Sequence, residues 1–394
     1  MHSGTGRMTE LLYTLLCHEA DVDVIPTLGQ HVPHTEAENQ YMFGRIPHER
    51  IHTHDWKSGC VDVGQIDADV VAASTAGAAD WPIPIALNAM LMEQSWDWII
   101  HLGHVVPHEV LGFANHNKNY FIGLAGKPLI CASHMAAASC GIENNLGRLV
   151  TPVRHCFNLA EQKFLSHLPD VYIQVVMARN TEGRLVHTGI HVGDDLETYV
   201  AAAEQSRQQN ITVFEEPVQK IVCVMQGDEF FSTWVANKAI YRTRMALADG
   251  GELVIIAPGL KRFGEQPEVD SLIRKYGYRS SQEILSLYRQ NSDLRDLAHA
   301  AAHLMHGTTE GRFQVTYAPG HLVRQEIEGV HFRFAALDET IARYQPHQLR
   351  EGWQKPAGDD PFYFIPTPSA GLWSTRQKLF HRPDYAAVDT AKPS

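Results

Sequence analysis

His108, Lys118 and His134 fall within 27 residues of one another, and their types could do chemistry together. An imidazole takes or gives a proton near neutral pH and also ligates metals. A primary amine can anchor a carbonyl-type carbon or an anion. His31 joins them from a more distant stretch. Taken singly, each residue stays open. His108 after a strand reads first as a turn histidine, then as a base or ligand. Lys118 in a loop rich in Gly and Asn reads as solvated or as an anchor. His134 among small residues (Cys131-Ala-Ser-His-Met-Ala-Ala-Ala) reads as a helix-face histidine or a ligand. His31 at a strand end, before a helix, stands where open α/β sheets place ligands.

The elements that must position these residues follow from pattern. A strand around Trp96, Trp98, Ile100 and Leu102 delivers the stretch from Val105 through Pro107 and His108 to Gly126. A helix is predicted over 127–139 with Pro128 in its first turn, where its missing N–H costs nothing. Upstream, Thr9 is expected to cap a helix whose apolar face is Leu11, Leu12, Leu15 and Leu16. A short strand is expected over 22–28, and Thr35-x-x-Glu38 reads as a capping box. Downstream, helices are expected over 151–165 and 195–208, and a strand over 171–177. From 216 the pattern restarts: strand 220–225, helix 230–247, a turn at Gly250-Gly251, strand 253–257, helices within 266–306, and strands near 313–317 and 332–335.

This alternation predicts an α/β protein of two domains, over 1–215 and 216–345, with a partly ordered wrapping tail over 346–394. At 394 residues, 44% apolar and 20% charged, the chain supports sizeable cores. A net charge of −12 argues against a nucleic-acid partner. No apolar run is long enough for a membrane span, and Met1-His-Ser-Gly-Thr-Gly-Arg lacks the apolar core of a secretion signal. Six scattered cysteines form no C-x-x-C pair, so a cytoplasmic location is expected. Twenty-three histidines are many. His52, His54 and Asp55, and also His299, His303 and His306, have metal-like spacing; His299 and His303, four apart, could bind zinc, but a solvated helix face is the expected reading.

In combination the motifs decide more. Pro-His-x3-Gly-Phe-x4-Lys-x4-Gly-x-Ala-Gly, with a histidine 16 residues after the lysine, resembles the nickel-dependent lactate racemase family. So does Gly29-Gln-His31-Val-Pro-His-Thr35-Glu-Ala-Glu38. The resemblance covers most of the chain from the first helix to about residue 260. It implies two α/β domains with the active site in the cleft between them, and a nickel-pincer nucleotide (pyridinium-3,5-bisthiocarboxylate mononucleotide nickel). Lys118 would hold that cofactor covalently through a thioamide. His134 would complete a planar nickel site of two sulfurs and a carbon, and His31 and His108 would be the paired acid/base groups. Lys238, in Trp234-Val-Ala-Asn-Lys238, matches a family lysine and would bind carboxylate or phosphate.

The reaction so implied is racemisation or epimerisation of a small 2-hydroxy acid. One histidine takes the hydroxyl proton as hydride leaves Cα for the cofactor, and a keto acid forms, turns and is reduced on its other face. Two bases are needed because there are two enantiomers. Other proteins would build and insert the cofactor. Val235 stands where the family has glutamine, and Asn115-His116-Asn117 where lactate enzymes tend to have Ser-Gly-Gly-Arg, so a hydroxy acid other than lactate is expected. Alternatives are a relative catalysing redox or elimination on a hydroxy acid, and a non-catalytic hydroxy-acid or nucleotide binder. Family members open with strands that end in a substrate-binding arginine. Here the first helix comes at once, so an N-terminally truncated chain is expected.

Overall fold

The computed structural model describes residues 4–380, except 181, 183, 357 and 359. Its described residues form two units: 4–136 with 146–209, and 137–145 with 210–380. The sequence places the division at 215. The contacts place it at 209 and also assign 137–145 to the second unit. Both units mix helix and sheet, so the chain is an α/β protein.

In the first unit, α1 (Thr5–Leu16) begins four residues before Thr9, whose hydroxyl donates back to the Thr5 carbonyl from inside the helix. Leu11, Leu15 and Leu16 are exposed, contrary to the expected apolar face. The strand expected over 22–28 shrinks to one bridge between Val24 and Ile51. α2 (Glu36–Phe43) does begin with the expected capping box: Thr35 Oγ1 accepts from the Glu38 N–H at 3.3 Å, and the Glu38 carboxylate accepts from the Thr35 N–H at 2.8 Å.

β1 (Cys60–Ile66) pairs antiparallel with β2 (Ile83–Asn88). β3 (Ile99–His104) lies parallel to β6 (Asp170–Arg179), which pairs antiparallel with β7 (Leu185–Gly193). Trp96 and Trp98 precede β3 rather than belonging to it, and β7 was not foreseen. Its alternating pattern is weak, with polar and half-exposed residues on both faces. Between β3 and β6 run the two-residue β4 (Pro107–His108) and β5 (Gly112–Phe113), the helix α3 (Lys127–Ser139) and the helix α4 (Pro152–Ala160). The helix α5 (Leu196–Asn210) follows β7. Thr151 caps α4 at 3.2 Å, with Pro152 in its first turn.

The second unit holds a six-stranded sheet. From one edge its strands are 333–334, 314–319, 247–257, 218–224, 362–365 and 352–354, all parallel to their neighbours except the last. The segment from 346 is therefore no mere wrapping: two of its strands complete this sheet, with Phe362 and Phe364 packed on Val222, Val254 and Ile256. The helix expected over 230–247 is two short ones, Thr233–Ala236 and Lys238–Thr243, broken at Asn237. Gly250-Gly251 lies inside the strand Leu247–Ala257, where a φ of 77° at Gly250 accompanies a shift of register. No helix among the described residues is long and apolar enough to cross a membrane.

Candidate active site

α3 carries His134, and one bond fixes its state. Its Nδ1 lies 2.7 Å from the Ile130 carbonyl oxygen. A carbonyl only accepts, so Nδ1 carries the proton and Nε2 keeps its lone pair. Burial pushes the ring's pKa down to about 4. The neighbouring Lys118 charge pushes the same way, while Glu109 and the Ile130 bond oppose. His134 is therefore a neutral Nε2 donor with Lys118 and Glu109 in its electrostatic surroundings. This is how a metal-ligating imidazole is usually oriented, its other nitrogen tied to a backbone oxygen.

His108 presents the opposite face of the same chemistry. Its Nδ1 accepts the Val110 N–H at 3.2 Å, so the neutral ring carries its proton on Nε2. It offers an N–H where His134 offers a lone pair. Acting as a base at Nε2 requires His108 to give up that Val110 bond.

Lys118 opens a one-turn π-helix over Asn119–Gly123, all of it buried. The turn before it is held in the interior. Asn115 and His116 both have left-handed backbones, φ 66° and 56°. Asn115 Nδ2 donates to the Gly103 carbonyl and to Gln174 Oε1, each at 2.9 Å, and its Oδ1 accepts from Asn119 at 2.8 Å. His116 stacks on Tyr172 at 4.3 Å, and burial beside Arg154 pushes its pKa down to about 3. Asn117 donates to Asn158 at 2.7 Å and Glu161 at 2.9 Å, and accepts from Arg154. These three residues were expected on the substrate side. The structure instead turns all three inward, each no more than 3% exposed.

His31 is exposed on a turn, not at a strand end. The turn is nonetheless docked beside the lysine's segment: the Gly29 N–H donates to the Gly123 carbonyl at 2.8 Å. Gly29 has φ 57°, and a Cβ there would come within 2.9 Å of the Ile122 oxygen. A Cβ on Gly123 would meet Thr27 at 2.5 Å. Glycine at both places permits this approach. Neither glycine contact was anticipated from the sequence, nor was Arg154.

His54 supports the site from beneath. Asn88 donates to its Nδ1 at 3.1 Å, so Nε2 donates to the Ala125 carbonyl at 3.1 Å, just ahead of α3. It is a structural histidine rather than a ligand. No group of three or more His, Cys, Asp or Glu able to hold a metal ion occurs among the described residues.

Comparison with known proteins bears on this arrangement. Residues 3–145, which contain His31, His108, Lys118 and His134, match the model of the lactate racemase N-terminal domain. Over these residues the chain is similar to that domain. No curated protein matches it. Among solved structures, a protein from Thermotoga maritima is similar with a TM-score of 0.77 and 22% identity, over 95% of this chain and 91% of that one. The lactate racemase apoprotein from Thermoanaerobacterium thermosaccharolyticum is similar with a TM-score of 0.69 and 15% identity, over 93% of this chain and 83% of that one. At such identities these two likenesses concern the fold.

In the second unit, Lys238 opens the helix Lys238–Thr243, after the carboxyl end of strand 218–224. Half-buried Trp234 stacks on His303 at 4.5 Å. His299, His303 and His306 are buried, not solvated as expected. Their helix Ala298–Gly307 is buried along its whole length. His303 lies between Tyr241 and Tyr278, 2.8 Å from each hydroxyl. Thr233 donates to the Phe263 carbonyl at 2.9 Å, so Tyr278 donates to Thr233 and His303 Nε2 donates to Tyr278. Held between two tyrosine hydroxyls and stacked on Trp234, His303 is a structural residue.

Proposed function

We propose that this protein is a racemase or epimerase of a small 2-hydroxy acid that works with a nickel-pincer nucleotide held covalently by Lys118. The observation that carries the reading is His134: neutral, tied at Nδ1 to Ile130, with its Nε2 lone pair available and Lys118 among its neighbours. An imidazole nitrogen and a lysine amine from one short segment suit a group that needs one metal ligand and one amine. When bound, that group supplies reversible acceptance of the substrate's Cα hydride.

The chain's own residues then handle protons and position. His31 and His108 serve the two enantiomers, each exchanging a proton with the substrate's hydroxyl oxygen. With its proton on Nε2, His108 is the acid that gives that proton to the oxygen and is left as the base; in the other tautomer, reached by proton exchange with solvent, Nδ1 is protonated and the Val110 bond is given up. Lys238 binds carboxylate or phosphate. The buried Lys118 turn keeps the anchor from wandering, so that orientation is settled before substrate arrives. Proteins that build and insert the cofactor are implied as partners.

Chiral analysis of a 2-hydroxy-acid panel, using protein produced with the cofactor pathway, tests the reading. Interconversion of the two stereoisomers of at least one acid is the expected result. Net formation of a keto or unsaturated acid would replace it with redox or elimination.

A further inference from the structure

Arg154 is 2% exposed, yet its guanidinium makes its hydrogen bonds to neutral oxygens. One nitrogen donates to Asn117 Oδ1. The other donates to the Phe113 carbonyl at 2.6 Å and the Tyr199 hydroxyl at 2.9 Å. The guanidinium also lies 4.6 Å from the Tyr199 ring centre. Burying a cation without a bonded carboxylate is expensive, and an apolar side chain of like volume would serve a core as well or better. What distinguishes this placement is what it grips. Phe113 and Asn117 bracket the left-handed turn, and Asn117 is the residue immediately before Lys118.

The grip continues across Asn117. Its Oδ1 faces Arg154 and its Nδ2 faces Glu161, whose other oxygen accepts the Tyr172 hydroxyl at 2.7 Å. The amide thus stands between a cation and a carboxylate and can point only one way. Two successive left-handed, non-glycine residues are a strained conformation that surroundings must impose.

We infer that Arg154 is the positioning residue for Lys118: its planar fork holds both ends of the 113–117 turn and thereby aims the amine. The inference rests on Lys118 being the cofactor anchor. Lysine at 154 would keep the charge but not the fork, because an ammonium is a point donor that does not reproduce the fixed geometry.

The test compares wild type, Arg154→Lys and Tyr199→Phe as full-length chains. Amide hydrogen exchange is read on the unloaded protein, and the covalently loaded fraction is read by intact mass after co-production with the cofactor pathway. In Arg154→Lys, amides 115–121 should exchange about tenfold faster, while those of β6 and α3 keep their wild-type rates. The loaded fraction should fall by a similar factor at a temperature where both proteins are folded. Tyr199→Phe removes one of the oxygens that Arg154 grips and should move both readouts the same way, by less. It carries the test alone if the lysine variant does not fold. A lowered melting temperature with unchanged loop exchange and unchanged loading would reduce Arg154 to a packing residue and overturn the inference. Should Lys118→Ala still acquire the mass increment, the anchor reading fails instead, and the exchange data would still report Arg154's hold on the turn.

Discussion

His134 and Ile130 are joined by a 2.7 Å bond from ring Nδ1–H to carbonyl oxygen, one helical turn apart, and that bond leaves Nε2 as the ring nitrogen with a lone pair for a metal. His134→Ala removes the donor without touching Lys118. Nickel per protein, measured by plasma mass spectrometry, should fall at least about tenfold, while the organic increment on intact mass persists. Equal loss of both would make His134 a folding residue.

His31 and His108 are assigned to opposite enantiomers. His31→Ala and His108→Ala should each lower interconversion by about 10²–10⁴-fold. Stopped single-turnover assays should still show partial reaction from one enantiomer, and a different one in each variant. Near-normal turnover in either variant would remove that residue from the chemistry.

His116 makes stability depend on pH with a definite sign. Its folded pKa is pushed from 6.5 down to about 3, by burial first and then by Arg154 and His101. The unfolded chain therefore binds a proton below 6.5 that the folded one refuses, and stability falls as pH drops through that window. Between pH 6.5 and pH 5 this one group should contribute a loss of roughly 1.6 kcal/mol, since the unfolded imidazole is already half protonated at 6.5. His116→Asn tolerates the left-handed backbone and cannot titrate. In urea unfolding at the two pH values, the variant should lose less stability than wild type by about that amount. An identical slope in both would place the acid sensitivity elsewhere.

Much of this was legible in the sequence because it rests on local rules. The box at Thr35 and Glu38, the helix from Lys127 with Pro128 in its first turn, and the apolar strand before Arg179 are set by residues within a few positions of each other. The motif spacings singled out Lys118 and His134 for the same reason. What stayed hidden depends on distant partners. Asn115, His116 and Asn117 read as polar loop residues, yet Gly103, Gln174, Tyr172, Asn158 and Arg154 take them into the interior. The histidines of Ala298–Gly307 look solvated by spacing alone, and only Trp234, Tyr241 and Tyr278 show why they are buried. A run of hydrogen-bonding residues between apolar ones, as in Phe113-Ala-Asn-His-Asn-Lys-Asn-Tyr120, is the signal that was available for the buried turn.

Substrate choice should follow Val235 rather than the buried 115–117 run. Val235 is half-buried on the helix before Lys238, where the resemblance has glutamine. Val235→Gln should shift the ranking of a 2-hydroxy-acid panel toward lactate by tenfold or more, about the worth of one gained polar contact. Asn115→Ser should lower stability and loading but leave the ranking unchanged. A changed ranking in Asn115→Ser alone would return that turn to the substrate side.

The central claim is that Lys118 carries the cofactor, and intact-mass spectrometry of the purified protein tests it most directly. Co-produced with a nickel-pincer pathway, the wild-type chain should gain the mass of the cofactor, peptide mapping should place the increment on Lys118, and Lys118→Ala should show none. A full increment on the alanine variant, or an increment mapped to another residue, would contradict the account.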